Sequence, residues 1–150
     1  MKNVLVILAL GFGVSCATAQ KIKESEVPAA VKTAQEKHFP GSKVEKWEKE
    51  GANYESEFDV KKVETSASYD ANGTLLETEI EIKTSELPKA VTDYVTKNLA
   101  GKKIKEASKI TDAAGKISYE AEVGETDYIF DSNGTLLKKE TDKEKDNDKK

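Results

Sequence analysis

The sequence predicts an α+β protein made of two tandem copies of one unit, each a helix packed on a four-stranded antiparallel sheet. A Ser-Glu-[Val/Leu]-Pro segment begins at Ser25 and again at Ser85. An Asp-x-Asn-Gly-Thr-Leu-Leu segment begins at Asp70 and again at Asp131. Both segments therefore recur after about 60 residues, which indicates a repeated supersecondary unit. Period-two alternation of polar and apolar residues fills most of the chain between them, as in antiparallel strands.

Each copy opens with a short amphipathic helix. In the first copy Ser25 is a candidate N-cap, and Pro28 is tolerated in the first helical turn. Pro40-Gly41 and Gly101 are the stop signals of the two helices. Helices this short need a surface to pack on. The predicted apolar stripes are Val27, Ala30, Val31, Ala34 and His38 in the first helix, and Leu87, Ala90, Val91, Tyr94, Val95 and Leu99 in the second.

Four strands are predicted after each helix. Gly-containing turns such as Asn72-Gly73 separate them, which is typical of hairpins. In the first copy the predicted strands cover residues 44–50, 54–61, 63–69 and 76–82, and in the second copy 104–111, 117–123, 126–130 and 135–139.

The chain ends suggest export. Residues 1–19 have a charged start at Lys2, an apolar run over 4–14 and an Ala17-Thr18-Ala19 cleavage site, so we expect a signal peptide that is removed after Ala19. The apolar run is too short for a membrane anchor. We assign residues 20–83 to the first unit and 84–139 to the second, and we expect the charged segment 140–150 to be disordered.

A lipoprotein is the alternative address. Gly13-Val14-Ser15-Cys16 resembles a lipobox in which Cys16 would be lipidated and retained, although Gly13 stands where an apolar residue is usual. In either case the exported chain has no disulfide, since Cys16 is the only cysteine. The formal net charge of −4 becomes more negative when Lys2 is removed, which argues against nucleic acid as a partner.

The order of these motifs resembles a known family. The Pro-x-Ala-Val helix openings, Phe39-Pro40-Gly41, Val44-x-x-Trp47, the Tyr-Glu strands and the Asp-x-Asn-Gly-Thr-Leu-Leu hairpins are similar to those of the PepSY-like proteins of Bacteroidetes. The resemblance covers Ser25 to about Lys139. It implies a periplasmic or secreted protein with a fold like that of β-lactamase-inhibitor protein, without catalysis and without a cofactor. It also implies, by analogy of fold, a role in inhibiting or restraining enzymes such as proteases.

Catalytic chemistry is not predicted from the residues. His38 is the only histidine, and it lies at the end of a helical stripe beside Phe39, where a packing role is the simpler interpretation. No metal-protease, phosphate-loop or nucleophile-elbow pattern occurs in the sequence. We therefore predict a protein that is not an enzyme.

Two surface features are candidates for binding a protein partner. The polar side of the first sheet carries a series of carboxylates, which would suit a cationic partner or, as the simpler interpretation, keep the sheet soluble. Trp47 is the second candidate if it is exposed, but a β-bulge after Val44 would return it to the core, and we favour burial. The predicted contact residues are Trp47, Glu55, Glu57, Asp59, Glu77, Glu79 and Glu81.

A cation-binding or small-ligand-binding role for this acidic face is the alternative function. The Asp-x-Asn-Gly turns resemble the start of a calcium loop, but Leu75 and Leu76 interrupt the series of oxygen ligands. A hairpin with glycine in the left-handed conformation explains the same residues, so we predict no metal site at these turns.

Overall fold

The computed structural model describes residues 19–99 and 102–141. The chain divides into two compact units, Met1–Glu79 and Ile80–Lys150. The first has strand β1 (Gln20–Ile22), a 3-10 turn (Glu24–Glu26), helix α1 (Ala29–His38), β2 (Val44–Glu50), β3 (Asn53–Val60), β4 (Val63–Tyr69) and β5 (Leu75–Ile82), which runs past the boundary. The second has a 3-10 turn (Thr84–Glu86), α2 (Lys89–Asn98), β6 (Ile104–Asp112), β7 (Ile117–Val123), β8 (Thr126–Asp131) and β9 (Leu136–Thr141).

The repeated α+β architecture is confirmed, with one strand more than predicted. The residues described contain nine strands, and those of the ladders β1 to β4 and β6 to β9 pair antiparallel in chain order. The additional strand is β1, in a segment interpreted from the sequence as a polar lead-in. It pairs with β2, so that Ile22 lies opposite Trp47. The predicted leader with Cys16, the helix stop at Gly101 and residues 142–150 of the predicted tail lie outside the described residues.

The helices begin later than predicted, because a 3-10 turn precedes each of them. Ser25 lies inside the first of these turns and does not cap α1. Instead, the Glu26 carboxylate accepts a hydrogen bond from the backbone N–H of Lys23 at 2.8 Å and closes the turn. Pro28 then takes an extended conformation, and its carbonyl accepts the first helical bond from Lys32. The Thr84–Glu86 turn before α2 is built in the same way.

Each helix covers one face of the strands of its own unit. The ladder between β2 and β3 shifts register between Val44 and Lys46, so Val44 and Trp47 both face α1. Burial of Trp47, at 6% exposed, is therefore confirmed. The shift between Ile104 and Glu106 repeats this bulge in the second unit. The first core contains Val27, Val31, Ala34, Trp47, Phe58, Ala67 and Tyr69, and the second contains Leu87, Val91, Val95, Ala107, Ala121, Val123, Tyr128 and Phe130.

The repeated Asp-x-Asn-Gly turn packs directly on the helix. Gly73 has a φ of +83°, and a Cβ added to it would lie 2.6 Å from the carbonyl oxygen of Ala30 in the first turn of α1. Gly134, with a φ of +80°, is in the same position over Ala90, where an added Cβ would lie 2.4 Å from the alanine Cβ. Glycine is thus required twice over, by the left-handed backbone and by the approach of the helix.

Substitution of these glycines tests the contact. We expect Gly73→Ala and Gly134→Ala each to lower the free energy of unfolding by about 2–5 kcal/mol, because backbone strain and steric overlap add. Gly115→Ala is the matched control, since Gly115 has a φ of +79° but no atom within 4 Å of an added Cβ. It should lose only about 1–2 kcal/mol of strain. Chemical denaturation would measure all three, and equal losses would contradict the packing role.

The first core contains a buried hydrogen-bond network that the second core lacks. The Gln35 side-chain oxygen accepts hydrogen bonds from the hydroxyls of Ser56 and Tyr69, both at 2.8 Å. The Gln35 amide nitrogen donates to Ser42 at 3.0 Å. Burial raises the pKa of Tyr69, so its hydroxyl stays protonated and can donate. The corresponding positions of the second repeat are Val95, Ala121 and Phe130, all apolar and buried.

Replacement of the network by the apolar residues of the second repeat measures how much the network contributes to the free energy of unfolding. We expect Gln35→Val alone to cost about 2–3 kcal/mol of unfolding free energy, because the buried Tyr69 hydroxyl loses its acceptor. The triple variant Gln35→Val, Ser56→Ala and Tyr69→Phe should lie within about 1 kcal/mol of the wild type, because no polar group is then left unsatisfied. A triple variant that is less stable than the single one in urea denaturation would contradict this account.

Candidate functional site

The predicted acidic residues lie on strands β3 and β5, and half of them are buried. The prediction that they all project into solvent is wrong for Glu55, Glu77 and Glu79, which are 2%, 8% and 5% exposed. Asp59 and Glu81 are exposed as predicted, and Glu57 is half-buried. The physical reason is that both faces of these strands are covered, as the continuous burial of β4 from Thr65 to Tyr69 shows.

One cation compensates part of this charge. Lys46 Nζ lies 2.8 Å from Glu57 Oε1 and 2.9 Å from Glu48 Oε2. Burial alone would lower the pKa of Lys46, but hydrogen bonds to the two carboxylates outweigh it and raise the pKa. Burial raises the pKa of Glu57, although the hydrogen bond from Lys46 opposes the shift. The cluster therefore holds a charged lysine between two carboxylates, and β-strand register explains it, since Lys46 is directly opposite Glu57.

Glu55 is a buried carboxyl group of β3 whose pKa is strongly shifted. Burial raises its pKa well above the ordinary value, a hydrogen bond with Ser66 opposes the shift, and the negative charges of Glu57 and Glu48 add to it. Its Oε1 atom is buried and has no hydrogen-bond partner among the described residues. A carboxyl group in this setting favours the neutral, protonated form. Glu120, at the same position of the second repeat, is also buried.

The raised pKa of Glu55 makes folding stability depend on pH. Between the ordinary pKa of glutamate and the raised one, the folded protein binds more protons than the unfolded chain, so stability falls as pH rises. We expect Glu55→Gln to raise the free energy of unfolding at pH 7 by on the order of 1 kcal/mol or more, and to change it little near pH 4. Denaturation at several pH values measures this. Asp59→Asn, on the same strand but exposed, is the control and should show no such gain.

Trp47 is not available as a surface contact. Its indole lies in the core under α1 together with Phe58 and Tyr69. Trp47 was predicted as a possible contact residue because its spacing of three from Val44 does not show which side of β2 it is on. The bulge between Val44 and Lys46 turns Trp47 toward the core, so Trp47 could affect binding only through the stability of the unit.

The turns that resemble calcium loops are explained as hairpins. Asp70 Oδ1 accepts hydrogen bonds from the backbone N–H groups of Asn72 and Thr74, both at 2.9 Å, and Asp131 accepts the same pair from Asn133 and Thr135. Backbone hydrogen bonds, first that of Thr74, lower the pKa of Asp70. Across residues 19–99 and 102–141, no three His, Cys, Asp or Glu side chains are grouped so that they could hold a metal ion.

The one histidine lies at a helix end. His38 is the last residue of α1, is exposed, and its ring centroid lies 6.5 Å from that of Phe39. The Phe39 ring in turn packs on the buried Phe58 with the ring centroids 4.7 Å apart and the ring planes tilted by 54°. His38 therefore lies beside Phe39 as predicted, but it is exposed and does not belong to the buried stripe of α1, which contains Val31, Ala34 and Gln35.

A different surface element was missed by sequence reasoning. The β3–β4 connection is the two-residue turn Lys61-Lys62, flanked by Val60 and Val63, which are both exposed. The predicted strand 54–61 continued through Lys61, which the structure places in the turn after Val60. The missing glycine or asparagine in so short a turn is the signal that could have drawn attention to it.

The fold defines a two-unit α+β protein in which each helix packs on one face of the strands of its own unit. Comparison with known sequences identifies the family. A family model described as "Putative beta-lactamase-inhibitor-like, PepSY-like" matches residues 14–77 and again residues 60–138. The chain belongs to this PepSY-like family, as the resemblance in the sequence predicted. A search of curated proteins found no match.

Solved structures share the fold. A crystal structure of a "putative periplasmic" protein from Bacteroides eggerthii is similar over 77% of this chain and 88% of its own, at 16% identity and a TM-score of 0.67. A BLIP-like protein from Bacteroides fragilis is similar over 77% of this chain and 86% of its own, at 24% identity and a TM-score of 0.60. In the part of the chain that is described, no helix is long and apolar enough to cross a membrane.

Proposed function

We propose that this protein is a non-catalytic binding module of the periplasm, or a secreted one, that inhibits or regulates an envelope enzyme such as a protease. The observation that carries the proposal is the match of both repeats to a family described as β-lactamase-inhibitor-like. The fold shared with a protein of Bacteroides eggerthii described as "putative periplasmic" supports the location. A signal peptide cleaved after Ala19 would deliver the chain there, and lipidation of Cys16 is the alternative form of export.

The surface available to a partner is narrower than the predicted acidic face. Glu55, Glu77, Glu79 and Trp47 are buried, so a partner cannot reach them without opening the fold. The exposed large apolar residues among the described residues are the remaining candidates, and they are Val60, Val63, Ile80 and Leu137. Val60 and Val63 form a cross-strand pair. Binding would therefore use strand ends and turns of the first unit.

Cation or small-ligand binding by the acidic face is the alternative from another class. The buried Glu55 oxygen without a hydrogen-bond partner among the described residues is the observation that favours it. Isothermal titration with calcium and with transition metals separates the two proposals. Saturable heats that disappear in Glu55→Gln would favour the alternative.

Capture of a partner tests the leading proposal. The full chain, tagged at its C-terminus, is exported from its native type of host and purified, and its intact mass distinguishes cleavage after Ala19 from lipidation at Cys16. As bait on a periplasmic extract it should retain one enzyme, whose activity falls with added protein and saturates at a defined stoichiometry. Retention without any effect on activity would leave a binding module but contradict inhibition.

Controls for the capture separate loss of the fold from loss of a surface. Gly73→Ala, which disturbs the contact between turn and helix, is the control for loss of the fold and should lose the partner together with stability. Asp59→Asn with Glu81→Gln removes two exposed charges of the acidic face and should keep stability, so it reports only on that face. If no protein is retained by the folded wild type under any periplasm-like condition, the proposed function is wrong.

A further inference from the structure

The tip of the β3–β4 hairpin, residues 60–63, has an unusual backbone. Val60 pairs with Val63, and the two residues between them turn the chain. Lys61 and Lys62 have φ angles of +53° and +69°, the combination of a type I′ turn. They are the two non-glycine residues with positive φ in the described chain. This turn normally takes Asn-Gly or Asp-Gly, because side chains with a full Cβ are strained at positive φ.

The second repeat shows that the fold does not need lysine here. Its β7–β8 connection is also two residues long, Gly124-Glu125, and Gly124 has a φ of +78°. A glycine thus makes the equivalent connection without Cβ strain. The lysine pair of the first repeat is strained at a place where its own internal counterpart is relaxed.

A further feature of the tip is an exposed apolar pair. Val60 and Val63 lie directly opposite each other and are 39% and 38% exposed. Behind them Asp59 lies opposite Glu64. Departures from local rules are concentrated at functional sites. The strained lysines and the exposed valines fall within four consecutive residues, which singles out this tip.

We propose that the hairpin tip inserts into a cleft of a partner protein that has an apolar wall and carboxylates at its floor. This inference rests on the proposed binding function and names the element that performs it. The two valines present an apolar surface to the wall, and the lysines at the end of the hairpin pair with the carboxylates. The two-residue turn fixes the backbone of both lysines before binding, so only the lysine side chains have to be ordered by the partner.

Charge favours a protein cleft over a lipid surface. Recognition of anionic lipids uses clusters of about four to eight basic residues. The tip offers Lys61 and Lys62 only, and Asp59 and Glu64 follow immediately on the two strands. A flat anionic surface would meet these carboxylates, whereas a narrow cleft would meet the lysines and valines first.

The first test asks whether the lysines serve folding. In the full chain, Lys61→Asn with Lys62→Gly installs the preferred type I′ pair, and we expect the Tm to rise by about 3 °C or more. Scanning calorimetry measures it. A lower or unchanged Tm would mean that the lysines stabilise the turn itself, and it would overturn the inference independently of any partner.

The second test measures binding of the purified enzyme recovered by capture. Lys61→Asn with Lys62→Gly, and separately Val60→Thr with Val63→Thr, should each weaken its Kd by at least about tenfold, and the lysine variant should also reduce the dependence of Kd on salt. Lys32→Gln with Lys37→Gln on α1 removes the same charge elsewhere and should change Kd less than about twofold.

The outcomes separate the tip from the function. If the enzyme binds both tip variants with wild-type affinity, the inference about the hairpin tip is wrong, but the proposed binding function still holds. Loss of affinity in the α1 control as well would assign the effect to net charge. Co-sedimentation of the wild type, but not of the lysine variant, with phosphatidylglycerol vesicles would replace the protein cleft by a membrane surface. Failure of the wild type to bind any protein removes the proposed function itself.

Discussion

The contact between the glycine turn and the first turn of the helix determines how each unit is assembled. Gly73 lies over Ala30 and Gly134 over Ala90, so the helix approaches the turn backbone with no side chain between them. The Asp70 carboxylate fixes the turn through two backbone N–H groups, and the chain then enters β5 with Leu75 against the core. The same residues therefore close the hairpin, place the helix and direct an apolar side chain inward. This explains why the turn and the helix opening recur together in the two copies.

The two repeats use this frame to hold different interiors. The second core is apolar throughout, whereas the first contains the Gln35 network. A network whose buried hydrogen bonds are all satisfied costs little and restricts the ways in which a helix can pack. The Tyr69 hydroxyl donates to Gln35 of α1, whereas α2 has Val95 at the corresponding position and offers no acceptor there, so the network distinguishes α1 from α2 as a partner for these strands. Repeats that fold next to each other benefit from such a distinction, since exchange of equivalent helices is a characteristic failure of repeated units.

The fold was predictable to the extent that it follows local patterns. Strand β2, from Val44 to Glu50, and β7, from Ile117 to Val123, have the predicted bounds because their alternation and flanking turns agree. The helix starts were misplaced because Pro28 and Pro88 end a 3-10 turn before the helix begins, and a Ser-x-x-Pro segment fits both geometries. The close approach at Gly73 was not predictable, since it depends on the distance between helix and turn and not on the turn sequence alone.

The candidate site was harder to predict because alternation identifies faces but not what covers them. Glu55 and Asp59 are on the same side of β3, yet one is buried and the other exposed. No pattern within the strand distinguishes them. Trp47 could be assigned to the core only through the bulge after Val44, which moves it by one position. Alternation of charged residues therefore indicates a β-strand, but it is weak evidence that the charged side of the strand is exposed to solvent.

Backbone strain at the hairpin tips distinguishes the first repeat from the second. Both repeats keep the frame of helix, strands and glycine turn, and both bury a carboxyl group, Glu55 in the first and Glu120 in the second. The second repeat has a glycine at positive φ in its β7–β8 turn, whereas the first has two lysines at positive φ in its β3–β4 turn. Because the glycine turn shows that this connection can be made without strained side chains, the fold of the repeat does not require the lysine pair. The partner proposed for the hairpin tip would explain why the strained turn is found in one copy and not in the other.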